Sequence, residues 1–189
     1  MHFQAAFYCT SLLDKLSSID QCVKGESMKR KIVHVYLSGG MEYAKNEGVG
    51  WRNDIDTWIR KNLAHNVFNP NTESEKYLRK SLPNKNFRAL KSTDIQAYTT
   101  IVKKFVIIDS KKIAERSDYV ICYWDQSAQR GAGTKGELTI ARYFNKPVYM
   151  VTRIPKERIP GWVLGCVTKF FISFAQLKEF LVLKYSITK

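Results

Sequence analysis

Apolar residues recur along the chain in two alternating rhythms. Ile32 to Leu37 is a β-branched and aromatic run that ends in Ser38-Gly39-Gly40, the pattern of a buried strand entering a tight loop. Trp51 to Leu63 instead spaces Trp51, Ile55, Trp58, Ile59 and Leu63 at helical intervals with charges between them, which predicts an amphipathic helix. Val67-Phe68-Asn69-Pro70 predicts a short strand stopped by proline, and the polar stretch 71–86 reads as a flexible loop. Between Ile95 and Ala114 the apolar positions keep helical spacing but are dense, so the pattern allows one bent helix or two. Tyr119 to Trp124 is a continuous apolar strand and Thr134 to Phe144 a helix; Pro147 to Val151 and Lys169 to Ile172 are strands, and Phe174 to Leu183 is a closing helix.

Strand and helix alternate, which predicts an α/β fold: a flavodoxin-like or Rossmann-like three-layer sandwich on a mostly parallel sheet of about five strands. Ligands of such sheets bind at the carboxyl ends of the strands, which here are Tyr36 to Gly40, Asn69, Trp124 to Asp125, and Thr152. A length of 189 residues suits one domain. A second methionine, Met28, opens the first core strand, so the domain is expected to span 28–189, with residues 1–27 an extension outside it. No run approaches the roughly 18 apolar residues a membrane span needs. Phe3 to Leu13 is mildly apolar, but the first basic residue, Lys15, follows it, which is the wrong order for a signal peptide. Cys9, Cys22, Cys122 and Cys166 are scattered, without CxxC spacing. They read as reduced thiols of a cytoplasmic protein. His2, His34 and His65 form no metal-ligand spacing with cysteine or carboxylate, so neither metal nor other cofactor is expected. His34 reads as a packed strand residue.

Charge adds a preference for anions. The net charge is +14, and residues 76–116 hold eleven Lys and Arg against three Asp and Glu. That run is either a solvated face or a field that draws phosphates. No nucleic-acid-binding motif accompanies it, and the chain is not read as a nucleic-acid binder.

The segment most suggestive of chemistry runs from Asp118 to Glu137. A strand ends at Asp125, a loop containing Gly131 and Gly133 follows, and a helix opens with Thr134 and carries Glu137 in its first turn. Backbone N–H groups of such a loop and the helix dipole favour an anion. Thr134 and Glu137 are also spaced as a capping box, in which the glutamate would merely close its own helix. The loop matches neither the P-loop nor GxGxxG.

In this segment the chain resembles the nucleoside 2-deoxyribosyltransferase superfamily, which includes deoxynucleoside 5'-monophosphate N-glycosidases. Val35-Tyr36-Leu37-Ser38-Gly39 is similar to the family's first strand and tyrosine, and Gly133-Thr134-Lys135-Gly136-Glu137 to the loop before its nucleophilic glutamate. Asp109 resembles the family's aspartate, and Asn145-Lys146-Pro147-Val148 the strand after the catalytic helix. Pro160-Gly161-Trp162 resembles a C-terminal region that reaches across to a neighbouring subunit. The matches run in order over residues 31–183, and the Glu137 segment is the most specific. Many of the transferases carry an aspartate six residues before the glutamate, where this chain has Gly131, which leaves the loop more hospitable to phosphate.

The resemblance implies cleavage or transfer at the N-glycosidic bond of a (deoxy)nucleoside or nucleoside 5'-monophosphate, through a covalent glycosyl-glutamate intermediate. Glu137 is then the nucleophile. Asp109 is the first candidate for the acid that protonates the leaving base and Asp125 the second, and Tyr36 would hold the glutamate. Substrate contacts are expected from Ser38, Gly39, Gly40, Arg52, Asp125, Gly131, Gly133, Thr134 and Trp162. The implied assembly is a homo-oligomer with a shared active site. Alternatives are an NAD-type nucleotide glycohydrolase and a nucleotide sensor that binds without turnover.

Overall fold

A computed structural model describes residues 32–82 and 86–186. The expected extension at 1–27, with Cys9, Cys22 and His2, lies outside them. Five parallel strands form one sheet in the order β2-β1-β3-β4-β5. They are β1 (His34–Gly39), β2 (Asn66–Phe68), β3 (Tyr119–Tyr123), β4 (Val148–Val151) and β5 (Lys169–Phe171). This is the flavodoxin-like order, and its direction reverses between β1 and β3, where a ligand crevice opens.

Side chains alternate across the strands and build a core on each face of the sheet. Val35, Leu37, Ile121 and Tyr149 pack with Ile55 and Ile59 of α1 (Val49–Leu63) and with Leu177 and Leu181 of α8 (Phe174–Tyr185). On the other face Tyr36, Val120, Cys122 and Met150 meet Leu138 and Ala141 of α6 (Gly133–Tyr143) and Val163 of α7 (Gly161–Cys166). The outcome is the three-layer α/β sandwich. Among the described residues no helix is long and apolar enough to cross a membrane.

Two local expectations are corrected. The stretch 71–86 is not simply a loop, because Pro70–Ser81 forms helix α2. Pro70 does not stop the chain there; it occupies the first helical turn, where a missing N–H costs nothing, and the Asn69 side chain caps the helix by accepting from the Asn71 N–H at 3.1 Å. The segment between β3 and α6 also contains a short helix, α5 (Gln126–Arg130), so it is not a simple glycine loop. Between α2 and β3 lie α3 (Leu90–Thr93) and α4 (Ile95–Lys111). The dense pattern from Ile95 onward is one helix that runs into a widened π-type turn, Lys112–Arg116.

Candidate functional site

Glu137 lies on the buried stripe of α6, three residues after Thr134 and adjacent to Leu138, both buried. A charged residue in that stripe needs partners, and β1 supplies them. The Tyr36 hydroxyl donates to Glu137 Oε1 at 2.9 Å and the Ser38 hydroxyl to Oε2 at 2.5 Å. The capping box suggested by Thr134 and Glu137 does not form: the N-cap is Ala132, without a side-chain cap bond, and both carboxylate oxygens point to the sheet.

Burial pushes the Glu137 carboxyl above the ordinary carboxylate range, while the hydroxyls of Ser38 and Tyr36 and the charge of Arg52 act in the opposite direction. Tyr36 is fully buried, and burial together with the charge of Glu137 holds its proton well above the usual phenol range. It therefore remains a donor. Asp109, in the last turn of α4, is pushed from 3.8 up to about 7 by burial and then by the charge of Glu137, against the pull of the Tyr36 hydroxyl and Arg52. One carboxyl is thus anchored by two hydroxyl donors, and its neighbour is poised to hold or release a proton near neutrality.

Both carboxyls line a cavity of about 470 Å³ at the switch point, a size that suits a small ligand. Gly39, Gly40, Gly131, Gly133 and Thr134 line it as well. Gly40 is required by close approach, because a Cβ there would meet Ser127 Oγ at 2.0 Å and Ala128 N at 2.7 Å. A Cβ on Gly133 or Gly136 would meet nothing within 4 Å, so those glycines leave open space beside Glu137.

Four residues expected to contact substrate, Arg52, Asp125, Trp162 and Ser38, have other positions. Arg52 does not face the cavity. It is buried, and its guanidinium donates to the carbonyls of Gly39 at 2.7 Å and Glu47 at 3.1 Å, tying down the loop that leads from β1 into α1. Asp125 caps α5, accepting from the Ala128 N–H at 2.9 Å and from the Ser127 hydroxyl, and is not in the cavity wall. Trp162 is 72% exposed and donates its indole N–H to Thr139 Oγ1, away from the cavity. Ser38 and Tyr36 act on Glu137 from behind and do not line the cavity. Trp51 packs against Tyr123 and Phe174.

The cavity also has a wall that the motifs did not single out. Tyr98, Val102 and Phe105 of α4 line it on the same face as Asp109, and Phe87, Arg88 and Glu47 complete that side. The spacing 98, 102, 105, 109 was visible as a helical stripe, but nothing in it distinguished a cavity wall from a core. Among the described residues no group of His, Cys, Asp and Glu is arranged to hold a metal ion. The chain matches no protein-family model, and no curated protein matches it significantly.

Proposed function

We propose that the protein cleaves, or transfers across, the N-glycosidic bond of a nucleoside or nucleoside 5'-monophosphate, as the resemblance to the nucleoside 2-deoxyribosyltransferase superfamily implies. The observation that carries this reading is the pairing, inside one cavity, of a carboxylate held by two hydroxyl donors with a carboxyl pushed up to about 7. Glu137 attacks the anomeric carbon, the C–N bond breaks with its electron pair on the base nitrogen, and Asp109 delivers the proton that nitrogen needs. The glycosyl ester is then opened at the same carbon by water or by a second base. Asp109, now ionised, takes the proton from that acceptor, and Glu137 leaves as a carboxylate. The Tyr36 and Ser38 hydroxyls keep the attacking oxygens in place throughout.

The test is a panel of nucleosides, nucleoside 5'-monophosphates and NAD, with and without an added free base, followed by chromatography for released or exchanged base. Wild type is expected to release base from at least one nucleoside or nucleoside 5'-monophosphate, and Glu137→Gln to lose turnover while keeping ligand affinity. Activity of Glu137→Gln within about tenfold of wild type would move the nucleophile elsewhere. Release from NAD alone would favour the glycohydrolase alternative, and affinity without product the sensor.

Self-association is part of the same proposal. Exposed Trp162 bonds to Thr139 of α6, and Tyr143, one turn further along that helix, is 81% exposed, so two aromatic rings face solvent on one side of the fold. Light scattering is expected to show an oligomer, most simply a dimer. A fully active monomer at micromolar concentration would refute it.

A further inference from the structure

We propose that Arg52 is a positioning residue for the two carboxyls of the site: its buried charge, caged by backbone carbonyls and cancelled by no carboxylate, favours the ionised forms of Glu137 and Asp109. The assignment deepens the glycosidase reading and rests on it for any effect on turnover.

Arg52 lies in the first turn of α1 and is 1% exposed. Its guanidinium donates to four carbonyls: from Nη2 to Gly39 at 2.7 Å, and from Nη1 to Glu47 at 3.1 Å and to Gly40 and Gly48 at 3.4 Å each. Asn46, Glu47 and Gly48 are all left-handed, with φ of 48°, 50° and 69°, and this turn presents the Glu47 and Gly48 carbonyls to the guanidinium. The Trp51 ring covers another side, 4.6 Å away. Carbonyl dipoles and a ring face make a buried cation tolerable, but unlike a carboxylate they leave its net charge in place. Arg52 forms no ion pair among the described residues, and its Nε is buried without a hydrogen-bond partner among them. A neutral amide also donates to carbonyls, so tying down the loop does not by itself require a full charge.

The uncancelled charge stands behind the carboxyls. Gly39, which accepts the shortest of the four bonds, follows Ser38, whose hydroxyl donates to Glu137 Oε2 at 2.5 Å, and Gly39 shares the cavity wall with Glu137 and Asp109. Its field pulls both carboxyls toward ionisation, against their burial. The other groups facing Arg52 are Tyr36 and Cys122, which burial holds protonated, and Asp125, which caps α5. Nearby cations carry partners of their own. Arg88 pairs with Glu47 at 2.8 Å and Lys91 with Glu42 at 2.5 Å, and on the α2 side of Asp109 Lys76 pairs with Glu73 at 2.8 Å.

The competing role is structural, in which Arg52 only ties the loop after β1 into place. Titration of Asp109 separates the two. Its carboxyl carbon is followed against pH in protein labelled with carbon-13 aspartate, the resonance being assigned by its loss in Asp109→Asn. The wild-type midpoint is expected near pH 7. Arg52→Gln, which keeps N–H donors for the carbonyls and removes the charge, is expected to raise it by about half a pH unit or more. Arg52→Lys, which keeps the charge and loses the planar fork, is expected to stay within about 0.3 unit of wild type. A midpoint unmoved or lowered in Arg52→Gln, or shifted equally in both variants, would overturn the assignment. Should Arg52→Gln fail to fold, adding Glu137→Gln must restore a folded chain, because it removes the carboxylate left unbalanced. No rescue would leave Arg52 to the loop alone and also overturn it. In an active enzyme the alkaline limb of kcat/KM is expected to move with the midpoint. If wild type releases base from no nucleotide, the glycosidase reading fails by itself, and the titration still decides the role of Arg52.

Discussion

A carboxyl can donate a proton at neutral pH only where its surroundings make the charged form costly, and Asp109 meets that condition twice, by burial and by the adjacent charge of Glu137. Loss of its proton should therefore set the alkaline limb of kcat/KM near pH 7. Asp109→Asn is expected to remove that limb and to lower the rate by about a hundredfold or more. Stability supplies an independent reading of the same group. With a folded value of about 7 against an ordinary 3.8, the native state binds the extra proton between those values, so wild-type stability falls as pH rises through that window. The asparagine variant lacks this loss. Its stability relative to wild type should rise from about pH 4 to about pH 7 and then level off, as followed by denaturant unfolding. A difference that does not vary with pH would show that Asp109 is not the raised group.

At the scale of elements, the strands and the two core helices were legible because burial leaves a direct trace in the period of apolar residues. Val35, Leu37, Ile55 and Ile59 are buried on one face, and Leu138 and Ala141 on the other, as their spacing implies. Helix α2 was not legible, since its residues are mostly polar and Pro70 reads equally well as the end of a strand or the first turn of a helix. The same ambiguity of local signals affected the site. Thr134 and Glu137 have capping-box spacing, but the decisive partners, Tyr36 and Ser38, lie 101 and 99 residues away in sequence, a contact no local pattern encodes. Arg52 was read toward the ligand because it follows the glycines at 48 and 50, a loop that could close over substrate. Here the carbonyls of Gly39 and Glu47 provide the hydrogen bonds that make its burial tolerable. Glu47 and the aromatic stripe of α4 were legible only as composition, because their role depends on which cavity they face.

Over the whole molecule, charge and cavity disagree in sign. The chain carries +14, yet among the described residues the cavity wall holds Glu42, Glu47, Asp109 and Glu137 against Arg88 alone as a cation. Much of the basic run from 76 to 116 faces solvent, as Lys103, Lys104 and Lys111 of α4 do, or is paired on the surface, as Lys76 is with Glu73 and Arg79 with Glu75. The net charge can raise the encounter rate of an anionic substrate, but it does not by itself create a phosphate site. The Gly131 N–H is already donated to the Ser127 carbonyl at 3.0 Å, so such a site would have to come from the backbone of Ala132 to Thr134 at the start of α6, where open space adjoins the cavity. Hydrogen bonds to a charged group contribute about 1.5 to 3 kcal/mol, and the acidic wall offsets part of that, so a nucleoside 5'-monophosphate should exceed its free nucleoside by roughly tenfold in kcat/KM. Salt separates the two sources. Between about 0.02 M and about 0.3 M salt the steering part should fade as the screening length drops below about 10 Å, while contacts to the loop persist. The preference should therefore shrink but remain. Its complete loss at high salt would leave Gly131 and Gly133 as spacers and assign the preference to the surface field, and no preference at any salt would place free nucleosides as the substrates.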